Sequence, residues 1–167
     1  VSDIVQYEVL FSHAEKYPDY HPAGKHLLYG YWDAASSDTR FVLLNSSDAP
    51  HIIEEDGTLR YSGQWDNAYS GAQLVWLADT ALHDAPEHVI FLEHIPFNAA
   101  RHTESVRIGE DALDRITTAF VKGEKLRIFS DDPDFSYSID ADFSGSFHSI
   151  PARIAGHCHS DTVTYDK

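Results

Sequence analysis

The chain has 167 residues, 43 % of them apolar and 13 % aromatic, enough for one domain with a real core and too apolar for a disordered tail. Its 27 acidic and 12 basic residues leave a net charge of −15, which argues against a nucleic-acid backbone or an anionic membrane surface as the main partner. Cys158 is the only cysteine, so no intrachain disulfide forms, and no run of about twenty apolar residues marks a membrane span.

The chain starts at Val1 and contains no methionine, so it is expected to be a piece of a longer reading frame. A targeting segment upstream would then be lost, which leaves localisation open, with the cytoplasm favoured. In residues 1–16 the spacing of Ile4, Tyr7, Leu10 and Phe11 predicts a short amphipathic helix with Asp3 as its cap. Residues 17–24, with Pro18, Pro22 and Gly24, read as a loop whose Tyr17, Tyr20 and His21 either line a surface or anchor it by packing. Strands are expected over 27–32 and 39–45, joined by a hairpin turn at 33–38. The second is apolar throughout, as strands covered on both faces are.

Residues 46–69 are polar and irregular, with Trp65 as a packing anchor. Ser70 and Gln73 have capping-box spacing, and Leu74, Leu77, Ala78, Ala81 and Leu82 make one helical stripe that stops at Asp84-Ala85-Pro86. Trp76 flanks that stripe as a core residue. An apolar strand over 88–92 runs into Glu93-His94-Ile95-Pro96, which leaves His94 at the strand's C-terminal edge, where open α/β sheets place their sites. A second helix at 109–122 buries Ala112, Leu113, Ile116, Ala119 and Phe120, with Gly123 ending it. Strands at 125–130 and 137–147 flank Asp131-Asp132-Pro133-Asp134, a solvated turn lacking the glycine and distal glutamate of a calcium loop. No linker or repeat divides residues 1–167, so they read as a single domain.

Near the C-terminus, Arg153-Ile154-Ala155-Gly156-His157-Cys158-His159-Ser160-Asp161 delivers two imidazoles one residue apart. Imidazole is the commonest protein metal ligand, and in a straight strand His157 and His159 share a face. Gly156 lets the backbone turn tightly or approach a bound group. Cys158 is either a soft-metal ligand or a half-buried free thiol. Glu93 and Asp161 are either partners that orient imidazoles or plain surface carboxylates.

In order, the strand Arg40-Phe41-Val42-Leu43-Leu44-Asn45-Ser46, the helix signature Gln73-Leu74-Val75-Trp76-Leu77, His94-Ile95-Pro96-Phe97 and Gly156-His157-Cys158-His159 resemble the C-terminal half of a calcineurin-like metallophosphoesterase. The likeness covers about residues 27–161. It implies an α/β fold, half of a four-layer α-β-β-α sandwich with a mixed sheet and flanking helices. It also implies two divalent metals (Mn, Fe or Zn), with His94 and His157 on one and His159 on the other. A hydroxide between them would hydrolyse a phosphate mono- or diester.

The family's Asp-x-His, Gly-Asp-x-x-Asp and Gly-Asn-His motifs are missing, and Asp19-Tyr20-His21 matches the first only as a string. No catalytic residue of the family is therefore expected in this chain, and the chain alone is expected to be inactive. Chain order puts Val1 shortly after the missing third motif. The open sheet face would then be covered by self-association or by the missing N-terminal half. The competing reading is a non-catalytic binding or assembly module on the same fold.

Overall fold

The computed structural model describes residues 17–34, 36–62, 66–96, 108–145 and 147–157. The helix expected over 1–16 and the anchor Trp65 lie outside the described residues. Seven strands are described: β1 (Tyr20–Pro22), β2 (Gly30–Ala34), β3 (Thr39–Leu43), β4 (His88–Glu93), β5 (Lys125–Ser130), β6 (Tyr137–Asp142) and β7 (Ser149–Ala155). Two helices accompany them, α1 (Gly71–Trp76) and α2 (Glu110–Lys122). The fold is α/β. A five-stranded mixed sheet has the order β1-β2-β3-β4-β7, and β5 and β6 form a separate antiparallel pair.

The hairpin β2–β3 pairs Ala34 with Thr39, as its turn residues predict. From β3 onward the pairing is parallel, β3 to β4 and β4 to β7, so three strand ends point the same way. The segment expected as a loop at 17–24 holds the edge strand β1. Proline is tolerated there because only one side of an edge strand donates. The strand expected from residue 27 pairs only from Gly30. A side chain at that position would sit 2.6 Å from the Tyr20 hydroxyl and 2.8 Å from the His21 carbonyl, so the close β1–β2 contact requires glycine.

Helix α1 begins as expected, with the Ser70 hydroxyl accepting the Gln73 N–H at 3.1 Å. After Trp76 it widens into a π-helical turn, Leu77–Ala81, in which the Leu82 N–H bonds back to the Leu77 carbonyl at 2.9 Å. This wider turn keeps Leu77, Ala78, Ala81 and Leu82 all in the core. Trp76 packs beside that core, 5.0 Å from the ring of Tyr29. Helix α2 buries the stripe its sequence predicts and ends at Gly123, whose φ of 64° is in the left-handed region.

One face of the large sheet (Val42, Val89, Phe91) is buried against both helices and the inner sides of β5 and β6 (Ile128, Ile139, Ala141). Trp32, Phe41, Leu43, Ile90 and Leu92 on the opposite face are only half-buried. Strands β3 and β4 are thus fully covered on one side, where their unbroken apolar runs predict cover on two. The strand expected over 137–147 stops at Asp142, whose carboxylate caps the Ser144 N–H at 3.0 Å and turns the chain.

Candidate metal centre

The parallel ends of β3, β4 and β7 bring Asn45 and Ser46, then His94, then His157 to one edge of the sheet. Backbone and side-chain bonds fasten these ends in sequence. The Leu44 N–H bonds the Leu92 carbonyl at 2.9 Å, and the Gly156 N–H bonds the His94 carbonyl at 3.1 Å. Between them, the Ile95 N–H donates to the Ser46 hydroxyl at 3.1 Å.

This arrangement brings two histidine rings together. Nδ1 of His157 lies 3.3 Å from Nε2 of His94, with ring centroids 5.1 Å apart and planes at 84°. His94 is exposed and His157 is half-buried. Two nitrogens held about 2.0–2.1 Å from one tetrahedral zinc are about 3.3–3.4 Å apart, so the observed spacing suits two ligands of a shared cation. Among the described residues no third His, Cys, Asp or Glu joins the pair. His159, the other expected ligand, lies outside the described residues, as do Cys158, Asp161 and Phe97. Gly156 has no positive φ, and a side chain there would meet only His94 Nδ1 at 3.8 Å, an ordinary contact. Among the described residues nothing at this glycine excludes a side chain, and the chain turns at His157.

Glu93 is not a surface carboxylate. It is buried and accepts the Tyr69 hydroxyl at 2.6 Å. Burial, followed by the charge of Glu93, raises the Tyr69 pKa well above the phenol range, so Tyr69 stays a donor. The side chain of Gln73 also departs from expectation. Instead of reaching back to Ser70, its carboxamide bonds both backbone groups of Asn45, accepting the N–H at 2.8 Å and donating to the carbonyl at 3.0 Å. Ser46 and this clamp are the parts of the site that sequence reasoning misses. A buried hydroxyl in Asn45-Ser46-Ser47 carries no spacing signal.

Other candidate segments stand apart from the pair. His21 of Asp19-Tyr20-His21 stacks on Tyr31 at 4.8 Å, in an edge strand separated from β4 by β2 and β3, whereas Tyr17 is exposed. The Asp131–134 stretch is a turn in which Asp132 caps the N–H groups of Asp134 (2.9 Å) and Phe135 (3.1 Å). Asp134 in turn accepts from Tyr61 at 2.7 Å and Arg60 at 2.9 Å, which ties the 46–69 segment to the β5–β6 turn and holds the Asp134 carboxyl below the usual range.

Comparison with protein-family models, characterised proteins and solved structures gives no match.

Proposed function

We propose that the chain is the C-terminal part of a metal-dependent phosphoesterase domain, in which His94 and His157 hold a divalent cation and His159 contributes to a second. The observation that carries this reading is the 3.3 Å approach of two imidazole nitrogens at the ends of adjacent parallel strands. Mn, Fe and Zn all accept such donors. When bound, the cations supply Lewis acidity and a water activated as nucleophile towards a phosphate mono- or diester. The chain's part is to present imidazole lone pairs in a fixed geometry on a rigid sheet edge. The Asp-x-His, Gly-Asp-x-x-Asp and Gly-Asn-His motifs that supply the bridging carboxylate and the leaving-group acid in that family are not found in context in this sequence, so turnover by this chain alone is not expected. In the same reading, the half-buried face formed by Trp32, Phe41, Leu43, Ile90 and Leu92 is where a second sheet of the sandwich lies.

Calorimetry with Zn²⁺ and Mn²⁺ on the isolated chain tests the proposal. Weak binding is expected, abolished in the double variant His94→Ala/His157→Ala and weakened on acidification, because protons compete for the same nitrogens. Binding of unchanged affinity in the double variant would overturn it.

A further inference from the structure

The ring of His94 is exposed, but the peptide that carries it is clamped. The last backbone rung between β3 and β4 is the bond from the Leu44 N–H to the Leu92 carbonyl. The next contact between these strand ends uses a side chain instead: the Ile95 N–H, one residue past His94, donates to the Ser46 hydroxyl at 3.1 Å. Both residues are 3 % exposed, so no bulk water replaces this acceptor. Ser46 is itself held. Its carbonyl accepts the Ala68 N–H at 3.1 Å, and the preceding residue, Asn45, has both backbone groups bonded to the Gln73 carboxamide. Gln73 is 1 % exposed at the start of α1. A continuous set of bonds therefore runs from the helix, through Asn45 and Ser46, to the peptide after His94.

We propose that Ser46 is a positioning residue, whose hydroxyl fixes the path of the chain after His94 and so sets the His94–His157 separation. Its effect on cation binding rests on the function proposed above, whereas its effect on the ring pair does not. Without the hydroxyl, the Ile95 N–H is left buried and unsatisfied, and the segment relaxes to find another acceptor. Displacing a ligand's carrier in this way lowers metal affinity by about 10- to 100-fold, as loss of a supporting partner does in metal sites generally.

The test uses the full 167-residue chain with Ser46→Ala, Ser46→Cys and Ser46→Thr. Cysteine fills the site but accepts hydrogen bonds weakly, and threonine keeps the hydroxyl. In metal-free protein, the cross-relaxation between imidazole protons of His94 and His157 is measured by NMR. It is expected in the wild type, absent from the alanine and cysteine variants and restored by threonine. Zn²⁺ affinity is expected to fall about 10- to 100-fold in the first two variants and to recover in the third. If Ser46→Ala does not fold, Ser46→Cys carries the comparison. Cross-relaxation that persists in either folded variant, or that is missing from the wild type, overturns the positioning role. Rings that move apart while Zn²⁺ affinity stays unchanged overturn its link to the cation. A wild type that binds no Zn²⁺ removes the metal reading, while the NMR result still decides the role of Ser46.

Discussion

The two ends of the parallel strands use the same residue types in opposite ways. Where β3, β4 and β7 begin, Arg40, His88 and His148 are each matched with another group of the chain. Arg40, 5 % exposed, bonds both carboxylate oxygens of Asp33 at 2.7 and 2.8 Å and the Ala81 carbonyl at 2.8 Å, with its guanidinium 3.9 Å from the Tyr31 ring centroid. His88 meets the Ser149 hydroxyl at 2.8 Å, while His148 stacks on Phe120 at 4.2 Å and lies 3.2 Å from the Pro86 carbonyl. Where the strands end, His94 and His157 meet each other, nitrogen to nitrogen. An imidazole against an oxygen is a structural tie. Two imidazole nitrogens this close either share one proton or, with neither protonated, face a common cation.

If this contrast is right, damage at the first end costs stability and damage at the second costs binding. The largest effect is expected from Asp33→Ala, which strands the buried charge of Arg40 and should lower unfolding free energy by about 3 kcal/mol in a urea titration. Cation binding at the far end should be unchanged. A stability loss below about 1 kcal/mol would mean that the Arg40 contacts are incidental.

The next effect concerns the buried phenols that link the segments between the two ends. Burial, then the charge of Asp48, pushes Tyr29 up to about 12, and Tyr69 is raised as well. For an acid whose folded pKa is raised, stability is complete below its unfolded value near 10 and is lost as pH rises towards the folded value. Denaturation curves between pH 10 and 12 should therefore show a loss of about 2–3 kcal/mol from Tyr29, and Tyr69→Phe should remove the further loss due to Tyr69.

At the second end, His94→Ala removes an exposed ring and should change unfolding free energy by no more than about 0.5 kcal/mol. A larger cost would make His94 a structural residue and blur the contrast. The smallest effect lies on the β5–β6 ladder. Hydrogen bonds from Lys125 and then Ser144 hold the Asp142 carboxyl down to about 2. Its contribution is present above the unfolded carboxyl value near 4 and fades as pH falls towards 2. Asp142→Asn should remove that acid limb from a melting-temperature profile, and salt should mask the difference.

Elements with a strong period were legible in the sequence. The stripe Ala112, Leu113, Ile116, Ala119 and Phe120 and the β2–β3 hairpin residues define their partners locally. Strand β1 was not, because Tyr20-His21-Pro22 carries turn residues and becomes a strand only through its pairing with β2. The π-helical turn was equally hidden, since Leu77 to Leu82 satisfies a helical stripe with either turn width. At the sheet edge, the residue types and the strand ends pointed to His94 and His157, whose rings the fold brings together, but not to the burial of Glu93 or the clamp at Asn45. Those depend on which side of a neighbouring segment faces inward, and local spacing in the sequence does not show that pairing.

The contact between His94 and His157 joins positions 63 apart in the chain. Helix α2 and the β5–β6 hairpin lie between them and can form from local contacts within microseconds. Parallel pairing of β7 with β4 has to wait for that intervening chain to compact, since closing so long a loop is unfavourable until its contents are ordered. The imidazole pair is therefore expected to be among the last features to assemble during folding. If the pair binds a cation as proposed, a cation indicator added to refolding protein would report completion of the sheet rather than collapse of the core, and its signal should lag behind the recovery of helical ellipticity.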